Sequence, residues 1–125
     1  MRHFLLLLLF ITALLAAHAA TNGIHSHLLI EAGNQFVLGG DQVGPFRVSA
    51  RNPGRVPVLF LERSQQGAVV QRGRLGPGQS VQFRLAAGAE LLVRNLGRAR
   101  AELDLDLKGA NGSKMVYEPA ALTEK

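Results

Sequence analysis

The sequence predicts an all-β fold, a small antiparallel β-sandwich of about seven to eight strands. Two observations predict it. Apolar and polar residues alternate with period two along most of the chain, and clusters of glycine and proline separate the alternating segments. After the leader-like start, no stretch shows the 3.6-residue period of an amphipathic helix. A small closed β-barrel would give nearly the same alternation and is the alternative.

The N-terminus has the pattern of a secretory signal peptide. Arg2 precedes an apolar run at residues 4–17, and the small-x-small triplet at residues 17–19 follows. The run is shorter than the ~20 residues that a membrane-spanning helix needs. We therefore expect a signal peptide at residues 1–19, cleavage after Ala19, no transmembrane segment in the mature chain, and export to the periplasm or the extracellular space.

The rest of the chain is large enough for one domain with one core. We expect a flexible N-terminal segment at residues 20–27, the sandwich at residues 28–109, and a C-terminal tail at residues 110–125 that contains one edge strand. The chain has no cysteine, so packing alone must hold this exported fold.

The predicted strands follow one another closely along the chain. The clearest lies in "ARAELDLDLKG" at residues 99–109, where Leu103, Leu105 and Leu107 alternate with charged residues. The other predicted strands with this pattern lie at residues 27–32, 34–40, 45–52, 68–75, 80–85, 89–95 and 115–117. A further segment, "VPVLFLE" at residues 56–62, is apolar at both parities. It predicts a central strand covered on both faces, or a strand with one face on a partner.

A corner motif occurs twice, as "RNPGR" at residues 51–55 and "RNLGR" at residues 94–98. Asparagine can bond its own turn backbone, and glycine adopts the left-handed φ that other residues resist. If the second copy closes a hairpin, strand parity places Leu91 opposite Ala101 and Val93 opposite Ala99. We interpret the motif as two similar turns and not as a binding signature.

The Asn-x-Gly corner, the long apolar strand after it and "LGPGQSVQFRL" together resemble the immunoglobulin-like or fibronectin-III-like modules of bacterial surface and secreted proteins. The similarity covers residues 45–108. It implies a seven-strand sandwich that serves as a spacer or adhesion module. It implies no functional residues, because these modules share no common site.

The positive charge is compatible with an anionic partner, although solvated strand faces that keep the protein soluble are the favoured explanation of it. The formal net charge is +5, and a basic exported protein can meet anionic polymers. One tyrosine and no tryptophan offer no platform for stacking bases, so nucleic acid is not expected. The predicted function is a non-catalytic binding or structural module of the cell envelope or extracellular space, which engages a protein or an anionic envelope polymer. The predicted binding residues are Arg47, Arg51, Arg84, Arg94, Leu59 and Leu61.

Two histidines suggest a second function. His25 and His27 lie two residues apart, so on an extended chain both imidazoles point the same way and could share one Cu or Zn ion. Metal handling in the periplasm is therefore the alternative function. The competing interpretation is a pair of solvated histidines, since the sequence reveals no third ligand.

A catalytic role is not expected, and no cofactor is predicted apart from the alternative metal. No motif frames the candidate nucleophiles, which are Ser49, Ser64, Ser80 and Ser113. Three carboxylates share one strand face, at Glu102, Asp104 and Asp106; we expect them to pair with arginines of neighbouring strands, and calcium binding is their alternative use. A hydrolase of envelope material is the remaining class, and it would need a pocket that brings a histidine close to a carboxylate.

Overall fold

The computed structural model describes residues 23–109 and 114–120. It confirms the all-β prediction, with nine strands and no helix among these residues. The strands are β1 (Ile24–Ile30), β2 (Asn34–Gly39), β3 (Phe46–Arg51), β4 (Val58–Arg63), β5 (Val69–Leu75), β6 (Ser80–Leu85), β7 (Glu90–Asn95), β8 (Ala101–Lys108) and β9 (Met115–Pro119). The predicted signal peptide lies outside the described residues. Within the described part of the chain, no helix has the length and apolar character needed to span a membrane.

The strands form two antiparallel sheets. One has four strands in the order β1-β8-β3-β6, and the other has five in the order β5-β4-β7-β2-β9. Strand β1 pairs with β8, β2 with β7, β3 with β6, and β4 with β5. These pairs are what one long hairpin gives when it is rolled up with its tip between β4 and β5. Such a double Greek key is a jelly roll, and β9 extends the five-stranded sheet beyond β2.

The β-sandwich prediction is confirmed, with nine strands where seven to eight were expected. The strands form two separate sheets and not the closed barrel that was the alternative. The strand order also differs from the immunoglobulin order, in which strands A, B, E and D face strands C, F and G. The resemblance rested on turn motifs, and a turn motif specifies a local bend without specifying which strand becomes the neighbour.

The alternation along the strands builds the core between the sheets. In β8, Leu103, Leu105 and Leu107 are buried against the other sheet, as predicted. Strand β4 is covered on both faces. Its inward Phe60 joins the main core, while Leu61 joins a smaller apolar cluster on the outer face of the five-stranded sheet.

The N-terminal boundary differs from the prediction. Strand β1 begins at Ile24, so residues 24–27 belong to a strand and not to a flexible segment. The reason is the length of β8, which pairs with β1 from Ile24 to Ile30. In the C-terminal tail the predicted edge strand is present as β9, and Tyr117 packs on Phe36 with ring centroids 5.2 Å apart.

The corner at Asn52 connects β3 of one sheet to β4 of the other. The buried Asn52 side chain accepts a hydrogen bond from the Gly54 amide at 3.0 Å. Its amide donates to the carbonyls of Val56 at 2.8 Å and of Leu75 at 3.2 Å. The side chain thus ties its own turn to the end of β5.

The corner at Asn95 repeats this arrangement between β7 and β8. Asn95 accepts from the Gly97 amide at 2.7 Å and donates to the carbonyls of Ala99 at 2.8 Å and Ile30 at 2.9 Å. The motif is therefore two equivalent turns, as interpreted, but it closes no hairpin because its flanking strands lie in different sheets.

The two corner glycines also differ from the expectation, since neither has a positive φ. At Gly97 the constraint is space, because a Cβ there would lie 2.5 Å from Val56 Cγ1.

Candidate functional site

The outer face of the four-stranded sheet carries polar side chains on all four strands. The strand register aligns them in three rows that run across the sheet. From β6 towards β1, the first row is Arg84, Arg47 and Lys108, the second is Gln82, Ser49, Asp106 and His25, and the third is Ser80, Arg51, Asp104 and His27. We call these eleven residues the polar face. Four separate parts of the chain contribute to it, and only the strand order brings them together.

The first row is entirely basic. Arg47 lies directly opposite Arg84 on one side and Lys108 on the other, and all three side chains are exposed. No carboxylate of the described residues forms an ion pair with any of the three. Like charges placed directly opposite one another destabilise a sheet. The row is therefore a strip of three cations that form no ion pair within the described residues.

The opposite edge of the polar face pairs histidines with carboxylates. His25 contacts Asp106 through Nδ1, and His27 donates from Nδ1 to Asp104 at 2.5 Å. Glu102 lies 3.8 Å from Nε2 of His27. The hydrogen bond to Asp104 raises the pKa of His27 and is the largest influence on it. Desolvation opposes the increase, and the charges of Asp104 and Glu102 add to it. These contacts fasten the edge strand β1 to β8.

A shallow, open depression of ≈ 570 Å³ lies on the polar face beside the basic row. It forms where the short side chains Ser49 and Ser80 stand among longer ones. Its polar lining residues are Ser49, Ser80, Gln82, Arg51, Asp104 and Asp106, and Ala50 and Val81 complete it. Hydroxyl, amide, guanidinium and carboxylate groups thus converge on one concave surface whose volume is in the range of small-ligand sites.

The predicted arginines divide between two faces of the sandwich. Arg47, Arg51 and Arg84 lie together on the polar face. Arg94 lies on the outer face of the five-stranded sheet, where its guanidinium donates to Gln35 Oε1 with both N···O distances at 3.2 Å. The prediction of a single arginine surface is therefore wrong for Arg94.

The predicted apolar residues, Leu59 and Leu61, also lie on the five-stranded sheet, away from the polar face. Leu61 is 4% exposed and packs with Val37 and Leu92, and the partly buried Leu59 packs against that cluster. Neighbouring side chains of the same sheet therefore cover this apolar surface, and of the four predicted arginines only Arg94, directly opposite Leu59, adjoins it.

The histidines lie on one face of β1, as their spacing predicts. Each is opposed by its own aspartate, however, and nowhere in the described ranges do three His, Cys, Asp or Glu side chains come together to hold a metal ion. The carboxylates of β8 were expected to pair with arginines. Asp104 and Asp106 pair with the histidines instead, because the sequence does not reveal that β1 lies beside β8.

The candidate nucleophiles do not meet a histidine in the described structure. Ser49 shares a row with His25, but Asp106 on β8 stands between them. Ser80 occupies the far end of the row that begins with His27. Ser64 accepts a hydrogen bond from the Ala68 amide at 3.2 Å in the β4–β5 turn. Ser113 lies outside the described residues.

Four residues of the polar face were not predicted from the sequence as members of a binding site: Gln82, Lys108, Ser49 and Ser80. Period-two alternation already directs all four outward. The alternation predicts on which face of its strand each side chain lies, but not which residues of other strands lie beside it. The basic row and the depression therefore become visible only from the strand register.

Comparison with known proteins supports the fold alone. No protein-family model matches the chain, and no curated protein matches it. Among solved structures, the chain is similar to the Yersinia pseudotuberculosis-derived mitogen YPM, with a TM-score of 0.50 and 9% sequence identity over 76% of this chain and 94% of that chain. At this identity no residue of the mitogen can be equated in function with a residue here.

Proposed function

We propose that the protein is an exported, non-catalytic binding module that holds an anionic polymer against the polar face. One observation carries the proposal. The basic row of Arg84, Arg47 and Lys108 forms no ion pair with any carboxylate of the described residues. Keeping three cations together at the surface costs stability. An external anion removes that cost, which gives the row a use in binding.

The extent of the row favours a polymer over a single small anion. Its side chains lie on three adjacent strands, which are spaced ~4.8 Å apart. An exposed ion pair contributes only about 0–1 kcal/mol. Affinity at such a surface therefore depends on several contacts made by one connected ligand, and a polymer supplies them.

Export is supported by the leader-like sequence of residues 1–19. A non-catalytic role is supported by the described geometry, in which each strand histidine is engaged with an aspartate and the candidate serines lie away from both. The likeness to the mitogen supports the sandwich fold and adds no partner.

The proposal predicts that binding to polyanions depends on charge at the polar face. The double variant Arg47→Ala/Arg84→Ala should bind immobilised polyanions about tenfold more weakly, because it removes two exposed ionic contacts. Raising salt from about 50 to 300 mM should weaken wild-type binding several-fold through screening. Biolayer interferometry on heparin, polygalacturonate, polyglutamate and polyphosphate measures both effects.

The matched control is Arg74→Ala. Arg74 is exposed on β5 of the other sheet, so its removal changes the net charge without touching the polar face. Equal losses, charge for charge, in the control and the double variant would contradict a localised site. Wild-type protein that binds none of the four polyanions at low salt would contradict the proposed function. Capture of a protein partner with salt-independent affinity would do the same.

A further inference from the structure

We infer that the polymer is an acidic polysaccharide, with its acidic groups on the basic row and its sugar hydroxyls in the adjoining depression. The inference rests on the proposed function and narrows its ligand. It is carried by a juxtaposition: a positive row with no anionic partner in the described structure lies one row away from a concave surface rich in hydroxyl, amide and carboxylate groups.

The carboxylates in the depression select against ligands that only accept hydrogen bonds. Asp104 and Asp106 line the depression, each in contact with a histidine through Oδ1, and the second oxygen of an ionised carboxylate is an acceptor only. The phosphates of polyphosphate and the side chains of polyglutamate would face these carboxylates with like charge. A sugar hydroxyl can donate to a carboxylate and also accept from a guanidinium or an amide.

The remaining lining groups fit the same ligand chemistry. Ser49 and Gln82 stand directly opposite one another on β3 and β6 and offer a hydroxyl and a carboxamide, each able to donate and accept. Arg51 adds a planar donor group on the third row. A ring with several hydroxyls can engage all three kinds of group together.

The two parts of the surface are within reach of one ligand. Arg47 and Ser49 are two residues apart on β3, and so are Arg84 and Gln82 on β6. Positions at this spacing lie ~6.7 Å apart on the same face of a strand. A chain laid across the strands, along the basic row, can thus place its acidic substituents on the cations and direct its sugar hydroxyls towards the depression.

The polar face does not fit a single-stranded nucleic acid, although such a chain also combines charge and hydroxyls. Proteins bind single strands by stacking bases on aromatic side chains. The eleven residues of the polar face include no Phe, Tyr or Trp, and its two imidazoles, His25 and His27, are each engaged with an aspartate. The ring of Phe83 on β6 packs edge-on against Phe60 between the sheets.

The test compares polyanions of matched charge and length. Binding of the protein to oligogalacturonate, heparin oligosaccharide, polyglutamate and polyphosphate is measured by isothermal titration calorimetry at low salt, with neutral dextran as the uncharged polysaccharide. The two acidic saccharides should bind at least about tenfold more tightly than polyglutamate and polyphosphate, which corresponds to one or two additional hydrogen bonds. Dextran should bind far more weakly than either.

Two variants separate the depression from the basic row. Ser49→Ala/Gln82→Ala should reduce saccharide affinity about tenfold and leave the weak polyphosphate binding unchanged. Arg47→Ala/Arg84→Ala should reduce binding of every polyanion. Cooperative thermal unfolding with a midpoint no lower than that of the wild type shows that each variant is folded, and Arg74→Ala serves again as the charge control.

The outcomes of these experiments distinguish failure of the polysaccharide inference from failure of the proposed function. Equal affinity for all four polyanions, or a preference for polyglutamate or polyphosphate, would overturn the polysaccharide and leave the anionic polymer standing. Saccharide affinity unchanged in Ser49→Ala/Gln82→Ala would also overturn it. If no polyanion binds, both the inference and the proposed function fail.

Discussion

Asn52 and Asn95 show why the same five-residue motif occurs at two places in this chain. Each side chain accepts a hydrogen bond from the amide two residues on and donates to two carbonyls, one of them at the end of a neighbouring strand. Asparagine is the only common side chain of this size that both accepts and donates twice. The motif is therefore structural, and it joins two turns to strands distant in sequence.

Replacing either asparagine with aspartate should be strongly destabilising. Asn95→Asp exchanges the donor amide for a charged oxygen that faces the carbonyls of Ile30 and Ala99. We expect a loss of about 3 kcal/mol in the free energy of unfolding, because two carbonyls lose their donor and a charge is buried with only the Gly97 amide to bond it. Urea denaturation measures it. Asn34→Asp, at a partly exposed position, is the control, and equal midpoints for the two variants would refute the role of Asn95.

The pKa of His27 is raised chiefly by one neighbour, Asp104. Its hydrogen bond to Asp104 raises the pKa above the usual 6.5, and the Asp104 and Glu102 charges contribute further. Because the folded-state pKa is the higher one, the stabilisation is fully present below pH 6.5. It is lost as the pH rises through the folded-state pKa.

The pKa prediction is tested by following the His27 ring protons by NMR across pH. The wild-type midpoint should lie above 6.5, and Asp104→Asn should move it down towards the ordinary value. Asp41→Asn, on a loop beside Lys114, should leave it unchanged. A midpoint that Asp104→Asn does not lower would show that the His27–Asp104 hydrogen bond does not form in solution.

At the level of the elements, alternation along the chain predicted where the strands lie, but it did not predict which strands pair. β8 could be predicted because its leucines and charges separate cleanly onto two faces, and β4 because it is apolar on both. The first residues of β1 were missed because Ile24 and Ser26, which point inward, do not look like a strand face beside two histidines.

The outer apolar cluster on β4 should contribute measurably to stability. Leu61→Ala should cost about 2–4 kcal/mol, because it leaves a cavity against Val37 and Leu92. Leu29→Ala on β1 is the control, since Leu29 is 42% exposed and its loss should cost less than about 0.5 kcal/mol. Chemical denaturation of both variants gives the comparison. Equal costs would mean that Leu61 is solvated, as a docking surface would require.

At the level of the whole molecule, the sequence indicates a sandwich but not its winding. The same strands and turns are compatible with several Greek-key strand orders. Which order is most stable depends on contacts between residues that are distant in sequence. The polar face depends entirely on that choice. Arg47, Arg84 and Lys108 are each visible as outward cations, yet only the neighbours of β3 make them a row.

The jelly-roll topology has a consequence for the order in which the strands can pair during folding. The register joins Ile24 to Leu107 and Ile30 to Ala101, so the first strand waits for the second-to-last before it gains a ladder partner. Loop closure over such separations is slow, because chain entropy is lost before contacts repay it. In a nascent chain, β1 therefore has no ladder partner until β8 has been synthesised, whereas β4 with β5 and β3 with β6 can pair earlier.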